Sequence, residues 1–196
     1  MKKNKKYQVD GYVKPGFENV MKQFESLYSR GFDKQSQCCI YVGNEIVLDV
    51  CGKADQPAYT ADTLSCVFSS GKNLAAVLIA MMVDQGKLDY NEPVAKYWPE
   101  FAQGGKAKVT LADVMRHEAG LDKLGKKVEI NDTMTEAIKA NKLGKMIEEE
   151  PYQEYPEGLE RVYHTLTRDW ITNEIFRRVD DKKRTMHEYM KEEVQG

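Results

Sequence analysis

The chain has 196 residues and a mass of 22.5 kDa, enough for one sizeable core or for one large and one small lobe. With 41% hydrophobic and 31% charged residues it reads as globular, and a net charge of -2 gives no global electrostatic case for nucleic acid or an anionic membrane as partner. No apolar run is long enough to span a bilayer, and Tyr7 to Pro15 carries Gln8, Asp10 and Lys14 where a secretory signal needs apolar residues, so a cytoplasmic address is expected.

The basic block Met1-Lys2-Lys3-Asn4-Lys5-Lys6 reads as a solvated tail. From Lys14 to Arg30, Phe17, Val20, Met21, Phe24, Leu27 and Tyr28 recur at helical spacing, and Gly31 stops the pattern. A hairpin is expected next, from Gln37–Val42 and Glu45–Cys51, with Gly43-Asn44 as its two-residue turn. Gly52 to Asp62 is a polar connection containing Pro57. Leu74 to Val83 is uninterrupted apolar sequence, which predicts a helix buried on all sides, with Gly86 as its left-handed stop. Val94 to Phe101 predicts a short helix closed by Pro99. Thr110, with Asp113 at the capping-box offset, opens a helix running toward Gly120. Asn131 to Glu150 predicts a surface helix interrupted at Gly144, and Pro151 to Val162, with Gly158, an ordered loop. Leu166 to Val179 predicts a helix with Trp170, Ile171, Ile175 and Phe176 inward, and Thr185 caps a last helix, Met186 to Val194, with Glu188 in its first turn.

Chemistry concentrates at Ser69-Ser70-Gly71-Lys72, in front of the apolar run. A helix start offers unpaired N–H donors and positive dipole, so Ser69 and Lys72, one turn apart, carry the ingredients of acyl transfer: a hydroxyl, an amine to activate it and donors for an oxyanion. The bare pattern is weak. With 6 Ser and 22 Lys in the chain, chance supplies roughly 0.7 Ser-x-x-Lys matches, and serines at helix starts are most often simple caps. Cys38, Cys39, Cys51 and Cys66 show no Cys-x-x-Cys spacing and read as reduced packing thiols. His117, His164 and His187 form no ligand pair, so no metal site is expected.

The order of segments resembles the β-lactamase-related serine hydrolases, the superfamily of class C β-lactamases, penicillin-binding-protein DD-peptidases and related esterases. It rests on Phe68-Ser69-Ser70-Gly71-Lys72, Gly86-Lys87-Leu88-Asp89, Pro93-Val94, Lys96-Tyr97-Trp98-Pro99-Glu100-Phe101, Val109-Thr110-Leu111 and His117-Glu118-Ala119-Gly120-Leu121, in that order. The resemblance implies an α+β, β-lactamase/transpeptidase-like fold in one domain over 1–196, a mostly helical lobe with an N-terminal hairpin from an incomplete antiparallel sheet. It implies Ser69 as acylated nucleophile, Lys72 as the base taking its proton, and Tyr163 as the tyrosine working with the lysine. Thr165 stands at a substrate-binding position where the family often has asparagine, nearer the esterase-like branch. It also implies a small-molecule ester or amide substrate and no metal or organic cofactor.

The family's third motif, Lys-Thr-Gly or His-x-Gly on a strand after the tyrosine, has no counterpart before Gly196; Lys123-Leu124-Gly125 and Lys142-Leu143-Gly144 precede Tyr163. Loss of one oxyanion donor costs on the order of 3 kcal/mol of transition-state stabilisation. The chain therefore reads as the N-terminal half of a family member, with an open sheet edge through which it could self-associate. Three readings stay open: a serine hydrolase, a transpeptidase or acyltransferase using the same acyl-enzyme, and a truncated, non-catalytic family member serving as a binding module or partial gene product.

Overall fold

A computed structural model describes residues 7–55, 58–157 and 161–195, and contacts divide the chain into two units, Met1–Cys66 and Val67–Gly196. The basic block at 1–6, Pro57, Gly158 and Gly196 lie outside the described residues.

In the first unit, β3 (Glu45–Lys53) is the central strand of an antiparallel sheet, between β1 (Gln8–Val13) and β2 (Gln35–Val42). The Gly43-Asn44 turn joins β2 to β3 as its sequence predicts, with Gly43 at φ 61. Period-two alternation turns Leu48 and Val50 under helix α1 (Glu18–Ser29), where they meet Phe24 and Tyr28. Gly52 is required there, because a Cβ would lie 2.4 Å from the Tyr28 ring. Strand β1 adds a third strand to the expected hairpin. Its apolar alternation, Val9 and Val13, is interrupted by Gly11, which removes the period-two signal at its centre.

The second unit is built on a core that includes Trp98, Phe101, Leu111, Leu121, Ile171 and Phe176. Helix α2 (Lys72–Asp84) contributes Leu78, Ile79 and Met82, whereas Leu74 is 54% and Val77 55% exposed. The expectation of burial on all sides is thus corrected: α6 (Thr167–Val179) and the core cover one side of α2 only. Gly86 ends the helix at φ 70, as expected. Pro99 divides 94–101 into two short 3₁₀ turns, Val94–Lys96 and Pro99–Ala102, in place of one helix. Helix α3 (Leu111–Met115) begins with the predicted Thr110–Asp113 capping box but stops early, at His117, whose φ is 66.

The expected helix over 131–150 is a 3₁₀ turn (Ile130–Thr133), α4 (Thr135–Lys139) and α5 (Lys142–Glu149). The break falls at Asn141, which takes φ 60, and not at Gly144. Gly144 is buried inside α5, where a Cβ would meet Asn141 Oδ1 at 2.2 Å and Glu174 Oε2 at 2.8 Å, so close packing and not helix termination explains it. Lys106, fully buried, donates from Nζ to Glu148 O at 3.1 Å and to Glu150 O, closing the carbonyl end of α5. Helix α7 (Met186–Tyr189) is capped by Thr185 as expected, Glu188 completes a capping box there, and the chain continues as a π-helical turn through Val194. Among the described residues no helix is long and apolar enough to cross a membrane, and the four cysteines are unbridged.

Candidate functional site

The site is assembled within the second unit, where the front of α2 meets the front of α6. Ser69 is exposed on the 3₁₀ turn Phe68–Gly71, and the N–H of Lys72, the first residue of α2, closes that turn on Ser69 O and Ser70 O. The residue before the serine, Phe68, takes φ 45 with its side chain 85% exposed. A bulky residue rarely adopts that region, so the turn carrying Ser69 is strained at its first residue.

Lys72 turns inward. Its Nζ donates to Thr165 O at 2.6 Å and to Asp169 Oδ2 at 3.1 Å, and lies 5.5 Å from the centroid of the Tyr163 ring. Of the four residues singled out by sequence, Lys72, Tyr163 and Thr165 are therefore together, and Ser69 is one turn before Lys72. Thr165 enters through its carbonyl; its residue also lines a cavity of about 300 Å³ with Asp122, Lys123, Leu166 and Trp170. Tyr163 is 51% exposed, and its ring packs at a tilt against His117, at 4.7 Å between centroids.

Sequence reasoning missed Asp169 and gave His117 and His164 no role. Asp169 sits in the first turn of α6, where an acidic residue suits the dipole, and that position disguises its ion pair with Lys72. His164 is fully buried and neutral: Nε2 accepts from the Leu121 N–H at 3.1 Å and Nδ1 donates to Val162 O at 2.5 Å. Burial holds its pKa below the ordinary range, opposed by the Val162 carbonyl and Asp122. His117 Nδ1 accepts from the His164 N–H at 2.9 Å, which fixes the proton of a neutral ring on Nε2. Burial first, then the charges of Arg168 and Lys72, lower its pKa to about 4.

Neither lysine-containing triplet before Tyr163 lies on a strand: Lys142-Leu143-Gly144 opens α5 and Lys123-Leu124-Gly125 is loop. Among the described residues no group of three or more His, Cys, Asp or Glu is placed to hold a metal ion. What the arrangement offers chemically is an exposed hydroxyl, an ammonium one turn away and a phenol beside that ammonium.

The Beta-lactamase family model matches residues 35–195 and so runs across both units. The chain is 32% identical over 187 residues to the esterase/beta-lactamase LipL of Mycobacterium tuberculosis, a match covering 89% of this chain and 40% of LipL. Among solved structures, a penicillin-binding protein homolog from Caulobacter crescentus superimposes with a TM-score of 0.82 at 31% identity, and a family VIII carboxylesterase with 0.80 at 28%. Each of those two matches covers 95% of this chain and 50% of the other. The chain thus spans about half the length of the relatives it matches. Its fold is β-lactamase/transpeptidase-like, and the chain belongs to the Beta-lactamase family.

Proposed function

We propose that the chain is a serine hydrolase of the β-lactamase-like type, acting on a small-molecule ester or amide through an acyl-enzyme on Ser69. The observation that carries this reading is the Lys72 ammonium, 5.5 Å from the Tyr163 ring and one turn from Ser69. Ser69 Oγ attacks the substrate carbonyl while its proton passes to the Lys72–Tyr163 pair, which accepts it in the form that has already given up one proton. The tetrahedral intermediate collapses as the bond to the leaving group breaks, and Tyr163 returns a proton to that group. Water then attacks the acyl carbon, giving the free acid and regenerating Ser69. The N–H of Ser69 is the oxyanion donor in the same turn, and the Thr165 side chain contacts substrate at the neighbouring cavity. The descriptions of LipL and the family VIII carboxylesterase favour an ester.

Hydrolysis of p-nitrophenyl acetate and butyrate by the 196-residue chain tests the reading. Turnover that is lost in Ser69→Ala supports it; turnover equal in the two proteins refutes it.

The sheet order, with β1 and β2 each paired on one side only, favours a second reading, a non-catalytic module that self-associates along one of those edges. It predicts no Ser69-dependent turnover and an elution volume on size-exclusion chromatography that shifts with concentration. A monomer with Ser69-dependent turnover refutes it.

A further inference from the structure

The segment His117–Leu121 joins α3 to the loop that follows it, and the proposed mechanism assigns it nothing. Apart from its contacts back to α3, several of its hydrogen bonds run to the chain around Tyr163. Val162 N–H donates to the His117 carbonyl at 3.1 Å, and His164 N–H donates to His117 Nδ1 at 2.9 Å. The residues on both sides of Tyr163 are therefore held by a single residue, once through its main chain and once through its ring. The same ring packs on Tyr163 at 4.7 Å. Neighbouring contacts extend the hold: Glu118 Oε1 accepts from Arg161 Nη2 at 2.7 Å, Leu121 N–H donates to His164 Nε2, and Gly120 O accepts from Gln153 N–H at 2.9 Å.

We propose that His117 is the positioning residue for Tyr163, bracketing it so that the phenol is presented to Lys72. The inference rests on the acyl-enzyme reading, because it gives Tyr163 a place to be presented to. The physical case is geometric. Tyr163 is half exposed, so packing covers only part of it, and a displacement near 1 Å at a proton-transfer group costs roughly 10²-fold in rate. Both hydrogen bonds demand a particular His117. Its φ of 66 turns the carbonyl and the ring toward the same strand of chain, and only an unprotonated Nδ1 can accept from an amide. The pKa near 4 keeps that nitrogen available.

Two substitutions separate the bracket from the backbone. Asparagine and glycine both tolerate positive φ, but only asparagine places an acceptor, Oδ1, where Nδ1 stands. The measurements are the rate of Ser69 phosphonylation by a fluorophosphonate and hydrogen exchange at the Val162 and His164 amides, with thermal melting as the check on folding. His117→Asn is expected to label within about threefold of the parent chain and His117→Gly to label on the order of 30-fold to 100-fold more slowly. Exchange at His164 is expected to accelerate in the glycine variant and not in the asparagine variant. Equal labelling of two folded variants, or unchanged His164 exchange in His117→Gly, overturns the proposal. If the parent chain itself takes no label, the acyl-enzyme reading fails and takes the catalytic purpose of the bracket with it; the exchange rates then show separately whether His117 holds the loop.

Discussion

Lys72 reaches Thr165 through the main chain, its Nζ donating to the Thr165 carbonyl at 2.6 Å. The side chain at 165 is not part of that contact, so the two residues are separable by mutation. Lys72→Met is expected to slow acylation of Ser69 by roughly 10²-fold to 10⁴-fold, the range for a lost general base. Thr165→Ala, which keeps the carbonyl, is expected to raise KM severalfold with kcat within about threefold, because a side chain touching only bound substrate contributes uniform binding. Steady-state ester hydrolysis separates the two. A Thr165→Ala defect confined to kcat contradicts the assignment of its side chain to binding.

His117 and His164 make stability depend on pH. The folded chain holds His117 neutral down to about 4, against an ordinary value of 6.5, and His164 is shifted in the same direction. As pH falls below 6.5 the unfolded chain takes protons that the folded chain refuses, so stability is full above that value and declines progressively toward 4. The melting temperature is expected to drop between about pH 6.5 and about pH 4.5, before most carboxylates titrate. His117→Asn should show a shallower decline. Identical slopes for the two proteins count against a neutral His117 in the folded chain.

What could be read from the sequence was local. The Thr110–Asp113 capping box, the Thr185 cap and the Gly43-Asn44 turn were legible because each is decided within four residues by backbone donors and φ. The break at Asn141 was not, because Gly144 is the stronger local breaker and only the packing of Asn141 and Glu174 around it shows why glycine stands inside the helix. The amphipathic exposure of α2 was equally hidden: ten apolar residues in a row report no face, and which side is covered depends on α6, more than eighty residues later. At the site, the ordered motifs pointed to Ser69, Lys72 and Tyr163, whereas Asp169 and the His117 bracket arise from pairings 97 and 47 residues apart.

Gly120 takes φ 64, and a Cβ there would lie 2.5 Å from the Tyr152 ring. Gly120→Ala must therefore strain the backbone and push away the loop that leads to Tyr163. A loss of about 1–3 kcal/mol in denaturant unfolding is expected, with slower Ser69 labelling in the variant that remains folded. A neutral effect on both would show that the loop rests on other contacts.

Lys106 is expected to be structural. Its ammonium is fully buried and donates to Glu148 O and Glu150 O at the end of α5, while burial pulls its pKa below the usual lysine range. Lys106→Met keeps the length of the side chain and strands both carbonyls, so a loss of about 2–4 kcal/mol is expected from urea unfolding. A change below about 0.5 kcal/mol would mean that water replaces the ammonium at those carbonyls.

The central claim is that Ser69 is a nucleophile. Incubating the 196-residue chain with a fluorophosphonate, which loses fluoride when a serine oxygen attacks phosphorus, and locating the adduct by peptide mass spectrometry tests it most directly. The account predicts one adduct, on Ser69, absent from Ser69→Ala and strongly slowed in Lys72→Met. A folded parent chain that stays unmodified, or is modified only elsewhere, contradicts it.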